Sequence, residues 1–374
     1  MDDRIKELDG LRGLAVLAVI AIHAFKRASE FTDNLFLNLV TRLTSAGWVG
    51  VDIFFVLSGF LITGILLRTK ERSDYFKNFY VRRVLRIFPL YYVVMAVILL
   101  LVPVLDPEYT PTIPKILPYM LLYVQNWTNL FDAPHMTVFL AVTWSLAIEE
   151  QFYFMWPAVV YFTRKETLLK LSIGVIVASI LFRFVGFFFL WKPLEAAHIY
   201  YYNTFTRLEE LVAGGLLAQA FTLPGWKERI QKVALPMFWA GLTAFFLLCL
   251  GNFPALPHPV NSIPLALGGY TSVAVFASAL VAILTTFKDD SPFRRLFRNG
   301  FLTFWGKYSY SAYLVHMPMV FIMLDVVSRY HLLGWRAYSV YLLLVFGSTA
   351  LISFLTWHLL EKHFLNLKRY FNYA

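Results

Sequence analysis

The chain has 374 residues, of which 59% are hydrophobic and 15% charged, and its mean hydropathy is +0.62. Apolar runs long enough to span a bilayer recur throughout, and the alternation of a β-barrel is absent, so the expected fold is an all-α polytopic membrane protein. The net charge of +10 would suit nucleic acid in a soluble protein, but the basic residues sit in short loops between spans, where topology accounts for them and no nucleic-acid partner is expected.

The sequence predicts about ten transmembrane helices, at 9–26, 47–67, 87–105, 142–162, 168–191, 207–221, 233–250, 264–286, 303–325 and 338–360. Lysine and arginine concentrate in alternate connections, above all 68–86 and 288–298. The positive-inside rule then puts both termini in the cytoplasm of a multi-pass protein of the cell (inner) membrane. The opening MDDRIKELDG lacks a basic leader and no small-residue cleavage site comes after it, so the first span is expected to stay. Residues 1–374 read as a single transmembrane domain with no appended soluble domain. The lone Cys249 has no disulfide partner within the chain, and no metal-ligand spacing is present.

The first span, LDGLRGLAVLAVIAIH, carries Arg12 and His23, eleven residues apart. At ~100° per residue they point from one face, ~16 Å apart along the axis. Arg12 suits either headgroups or a site, whereas His23, deep in the span, suits a pathway or site. The second span opens GWVGVDIFFVLSG, with Asp52 just inside its outer end, as a helix-start charge or a functional one. The basic loop 68–86 ends in FYVRRVLR, where Arg83 and Arg86 form a fork on one helix face, fit for phosphate or for anionic lipid. In the outer loop, Lys115–Trp127 reads as an interfacial or re-entrant helix.

The fourth span, TWSLAIEEQFYFMWP, carries Glu149 and Glu150. Each costs ~2.5–3.5 kcal/mol at the centre of a lipid-facing helix, so at least one is expected to have a role or a charge partner. Ser145, one turn before Glu149, is placed to share a hydrogen bond with it. Arg207, Glu209 and Glu210 open the sixth span, either as a solvated helix start or with Arg207 pairing Glu210. His316, in WGKYSYSAYLVHMPM, lies ~13 Å in from Lys307, so His23, Glu149 and His316 reach comparable depths. His358 and His363, flanking Glu361, read as solvated or packing residues.

These stretches together resemble the acyltransferase family 3 membrane proteins: the Arg-x10-His pattern ending at His23, the GWVGVDIFFVLSGFLITGIL stretch, the Arg83-x-x-Arg86 pair, LLYVQNW, TWSLAIEEQFYFMWP, Arg207 to Ala218 and YSYSAYLVHMP. The resemblance implies an O-acyltransferase that moves an acyl, usually acetyl, group from cytoplasmic acyl-CoA to a hydroxyl of an extracytoplasmic polysaccharide, lipopolysaccharide or related acceptor, with acetyl-CoA as donor substrate and no permanently bound cofactor. It implies Arg12, Arg83 and Arg86 at the donor, and His23 as catalytic residue. Glu149 would orient or charge-compensate the imidazole, with Glu150 left open as the alternative partner, while Asp52, Glu150, Arg207 and His316 would have a supporting role or serve the acceptor side. Many members carry a histidine where this chain has Val142, which leaves His135 or His316 to serve that role. The expected partners are acyl-CoA, the carbohydrate acceptor and membrane lipid. The alternative is a proton-coupled transporter or flippase of a glycan or lipid carrier.

Overall fold

The computed structural model describes residues 5–32, 34–105, 107–129, 136–190, 199–250 and 258–372. Among these it holds helices and turns but no strand. The principal helices are α1 (Lys6–Ala28), α2 (Leu35–Thr44), α3 (Val49–Thr69), α4 (Tyr75–Leu105), α5 (Ile113–Leu121), α6 (Trp144–Phe162), α7 (Lys165–Val185), α8 (Thr204–Ala220), α9 (Trp226–Cys249), α10 (Tyr270–Thr286), α11 (Pro292–Phe297), α12 (Gly300–Lys307), α13 (Ser309–Arg329) and α14 (Gly334–Thr356). A π-turn (Trp357–Glu361) and α15 (Lys362–Asn366) come next. Eight helical segments among the described residues are long and apolar enough to cross a bilayer. They contain α1, α3, α4, α7, α9, α10, α13 and α14, which makes the chain a multi-pass membrane protein. The other two expected spans are the helices α6 and α8; the charged residues of α8 are buried and those of α6 half-buried.

Helix α1 is central because it feeds two cores. Leu8, Leu11, Ala15 and Val19 belong to the larger one, which gathers α3, α4, α6, α8 and α10. Val16, Ile20, Ala24 and Ala28 belong to the second, built on α13 and α14. At ~100° per residue the first stripe centres near the direction of Leu8 and the second ~140° away. Arg12 and His23 fall ~40° and ~60° round, on the seam between them. Two buried apolar faces thus leave one strip of α1 between cores, and its polar residues occupy that strip.

Close backbone crossings set the register. A Cβ on Gly59 would collide with the Leu211 carbonyl, and one on Gly214 with the Val56 carbonyl, so α3 and α8 cross through a reciprocal pair of small residues. Gly13 and Gly306 play the same part between α1 and α12, against Leu302 and Asp9. The start of α1 is also tied to α11 by Glu7, which accepts from Arg294 (2.7 Å) and Arg298 (2.6 Å).

Three expectations change here. The basic loop expected at 68–86 is largely helix, because α4 begins at Tyr75. Its first turns dock on α6 through the Tyr75 hydroxyl to the Pro157 carbonyl (2.9 Å) and the Tyr80 hydroxyl to the Phe154 carbonyl (2.8 Å), and Arg82 donates to the carbonyls of Lys368 and Phe371. Arginines that read as loop therefore sit on an anchored helix. The single span expected at 303–325 is broken at Tyr308 into α12 and α13. The helix expected over Lys115–Trp127 stops at Leu121, and polar side chains pin the chain beyond it to the protein interior. Gln125 donates to the Thr143 carbonyl (2.9 Å), Asn126 to the Tyr202 carbonyl (3.0 Å), and Gln151 back to the Tyr123 carbonyl (2.8 Å). The LLYVQNW motif is thus a polar clamp joining α6 to α8, which fixes the helix that carries Glu149.

Candidate active site

A cavity of about 130 Å³, part of it open to the outside, lies between α1, α3, α4, α6 and α13. Its polar wall is made by Arg12, Arg83, Arg86, Ser58, Glu149 and Tyr153, with Ser145 and Tyr313 at another part of the lining. Arg12 from the seam of α1 thus meets the Arg83–Arg86 fork of α4 in one space. The three residues expected at a donor are brought together by helices that are distant in sequence.

The arginines differ in their protein partners. Arg12 reaches Asp9 at 3.3 Å and keeps 30% of its side chain exposed. Arg83 lies near the faces of Phe79 and Tyr153, at 5.7 and 5.9 Å, and its buried Nε has no hydrogen-bond partner. Arg86 makes no ion pair within 4.0 Å among the described residues; the carboxylate acting on it is that of Glu361. Glu361 is 5% exposed with an unpartnered Oε1. It lies between the two histidines read as solvated or packing residues, and it is buried because the π-turn that carries it leans on α4. Glu149 faces Ser58, Tyr153, Arg12 and Arg83, and Ser58 and Tyr153 hydrogen-bond to one another. Cations outnumber anions along this wall, which suits a polyanionic ligand such as a phosphorylated donor.

Glu150, the adjacent acid, turns elsewhere. Its Oε1 is buried without a hydrogen bond, and the groups around it are Glu149, Arg83 and the tyrosines Tyr91, Tyr92 and Tyr123. The ~100° between neighbours on a helix separates the two glutamates.

His23 is half-buried and does not line this cavity. Its ring stands 5.3 Å from that of His316, centroid to centroid, tilted by 36°. His316 is wholly buried and lies 5.7 Å from the ring of Tyr313. Tyr313 therefore stands between the arginine cavity and the histidines. Its hydroxyl donates to the Val142 carbonyl (2.9 Å) and lies 2.5 Å from the Ser145 hydroxyl. Ser145 thus pairs with Tyr313, not with Glu149 as its spacing suggested. Val142, at the place where many family members carry a histidine, contributes its backbone oxygen to this cluster. The alternative His135 lies outside the described residues. The titratable groups that act on His23 are His316, His258, Lys26 and Arg27, so Glu149 sits with the arginines and His316 with His23.

Asp52 and Arg207 form a separate, closed unit. Arg207 pairs with Asp52, and its Nη1 lies 3.0 Å from Glu210, all three fully buried. The aromatic rings of Tyr270 and Phe55 stand 4.2 and 5.4 Å from the guanidinium. Beside it, Arg183 binds Glu209 at 2.6 Å and donates to Thr206, Leu267 and Thr271. The sixth span therefore opens with an internal ion network and not a solvated start. The Gly59–Gly214 crossing puts Asp52 of α3 within reach of α8. Sequence reasoning missed Arg183, whose one signal is a lone arginine in an apolar run, and missed Ser58, Tyr153 and Tyr313, which resemble ordinary span residues. No group of three or more His, Cys, Asp or Glu in metal-holding geometry occurs among the described residues.

Comparison with known proteins agrees with the motif reading. The chain is 31% identical over 373 residues to the peptidoglycan O-acetyltransferase OatA of Listeria monocytogenes, covering 96% of this chain and 55% of that protein. It is 30% identical to the putative peptidoglycan O-acetyltransferase YrhL of Bacillus subtilis, covering 96% and 54%, and 28% identical to a putative O-acetyltransferase of Staphylococcus aureus, covering 96% and 57%. The chain thus spans about half the length of these curated relatives. No solved structure matches it. Residues 5–358 match the family described as "Acyltransferase domain", a span that holds every motif from the Arg12–His23 helix to His316; the chain belongs to acyltransferase family 3.

Proposed function

We propose that this chain transfers an acyl group, acetyl by similarity to the relatives, from acyl-CoA to a hydroxyl of an extracytoplasmic glycan. The relatives' names favour peptidoglycan over lipopolysaccharide as the acceptor. The observation that carries this reading is the union of Arg12, Arg83 and Arg86 in one cavity, next to the helix that also bears His23. Phosphates of the donor would meet the arginines, and the ~16 Å between Arg12 and His23 suits a long donor whose thioester lies far from its phosphates. The positive-inside orientation, with both termini cytoplasmic, puts the arginines on the side where acyl-CoA is made.

In this reading His23 takes the proton of the acceptor hydroxyl as the oxygen attacks the thioester carbonyl. The C–S bond breaks, and the CoA thiolate recovers a proton to leave as free thiol. Glu149, held by Ser58 and Tyr153, balances Arg12 and Arg83 so that the donor meets a fixed wall. Membership of an acyltransferase family weighs against the transporter alternative.

The test is thiol release from acetyl-CoA by the purified protein in nanodiscs, with and without peptidoglycan fragments. Release by wild type, lost in His23→Ala with CoA binding retained, is the expected result. Absence of both CoA binding and thiol release in wild type would overturn the reading.

A further inference from the structure

Resting on that reading, we infer that His316 is the positioning residue for His23, in the place where many hydrolytic and transfer sites use a carboxylate. Four observations carry this. First, His316 Nδ1 lies 2.7 Å from the carbonyl oxygen of Tyr313. A carbonyl only accepts, so Nδ1 is the protonated nitrogen of this ring. Second, a neutral imidazole protonated at Nδ1 bears its lone pair at Nε2, and His316 Nε2 is buried with no hydrogen-bond partner. An orphaned acceptor in a fully buried ring calls for a donor. Third, the neighbour at hand is His23, ring to ring at 5.3 Å. This separation is spanned by a direct edge contact or by one bridging water. Fourth, among the described residues His23 itself makes no side-chain hydrogen bond or salt bridge to protein, and Glu149 faces Arg12 and Arg83 instead.

Joining these, a His23 N–H donates to His316 Nε2. The other nitrogen of His23 then bears the lone pair and is presented to the acceptor hydroxyl. When His23 takes the hydroxyl proton it becomes an imidazolium, and the hydrogen bond to His316 stabilises it until the proton passes to the CoA thiolate. His316 gives up and gains no proton. It fixes the tautomer and orientation of the residue that does, the logic that a buried aspartate serves in a Ser-His-Asp triad. Tyr313 ties this arrangement to the donor cavity. Its carbonyl sets the His316 tautomer, while its hydroxyl, held by Ser145 and Val142, lines the space with the arginines. Occupancy of that space and alignment of His23 are thereby built on one residue.

The experiment has two arms on the full chain in nanodiscs. In the kinetic arm, His316→Ala lowers kcat for acetyl transfer by about a hundredfold while the KM for acetyl-CoA stays close to wild type, because a transition-state interaction is lost and donor binding is not. His316→Gln, whose side-chain oxygen extends toward the Nε2 place, recovers much of that loss. A kcat close to wild type for His316→Ala, or Gln no better than Ala, overturns the inference. In the spectroscopic arm, the protein is labelled with 15N-histidine. His316 shows a protonated Nδ1 and a bare Nε2, and the Nε2 resonance shifts in His23→Ala. A protonated Nε2, or no shift, overturns it. This second arm uses unsubstituted His316 and needs no turnover. If wild type fails to turn over acetyl-CoA, the functional reading fails while the histidine pair is still decided.

Discussion

The arginine cavity and the Asp52–Arg207 network are built from the same residue types and put them to opposite use. Around Arg207 every carboxylate is matched: Asp52 and Glu210 take Arg207 while Glu209 takes Arg183, and each of these five side chains is at most 1% exposed. In the cavity, Arg83 and Arg86 have no ion-pair partner within 4.0 Å among the described residues, and Arg12 has only a long contact to Asp9. A buried charge with its partner removed costs far more than a half-exposed one, which water can still solvate. The closed network is therefore built as a structural element, whereas the open cluster leaves its cations available, as the proposed donor site requires.

That contrast yields an ordered set of outcomes. Arg207→Leu leaves Asp52 and Glu210 buried and unpaired, at a cost of about 3–5 kcal/mol. It should appear as a large fall in the thermal midpoint and poor recovery from the membrane. The double variant Asp52→Leu/Arg207→Leu should regain part of that loss, since removing both partners is far cheaper than removing one. Arg83→Ala should instead leave the midpoint close to wild type and weaken acyl-CoA binding. Loss of charged hydrogen bonds worth about 1.5–3 kcal/mol corresponds to a KM rise of roughly ten- to a hundredfold. A midpoint for Arg83→Ala as low as that of Arg207→Leu would erase the distinction between the two regions.

Gly59→Ala tests the crossing that delivers Asp52 to Arg207. The new methyl meets the Leu211 backbone, and overpacking costs about 1–3 kcal/mol. Its damage should fall on stability with the donor KM unchanged.

The smallest effect is expected at Asp74, outside the spans, where the hydrogen bond from Arg72 holds the carboxyl below its usual value of 3.8. A lowered acid contributes above its unfolded value and loses that contribution as pH falls through the folded value. The midpoint should therefore show no step from this residue between pH 5 and 8 and only a slight decline below about pH 4. Asp74→Asn should remove that decline and nothing else. A step near neutrality that disappears in Asp74→Asn would contradict the assignment.

The family, the helical class and most helices were legible in the amino-acid order. Apolar runs identify a helix whatever it packs against, and the Arg12–His23 spacing fixes two side chains to one strip by helical geometry alone. Sequence also marked Arg83 with Arg86, Glu149 and His316, because an ionisable group in an apolar run stands out without any knowledge of its neighbours. Partnership was decided only in three dimensions. By sequence, His23, Glu149 and His316 reached comparable depths, but depth along the bilayer normal says nothing of position around it, and the fold gives Glu149 to the arginines and His316 to His23. Ser145 likewise left Glu149 for Tyr313. The break at Tyr308 and the early start of α4 depended on docking to α1, α6 and the C-terminal segment, contacts between residues up to hundreds of positions apart, which no local pattern encodes. Arg207 could be paired with Glu210 from a three-residue spacing; its second partner, Asp52, waited on two glycines that let α3 and α8 touch.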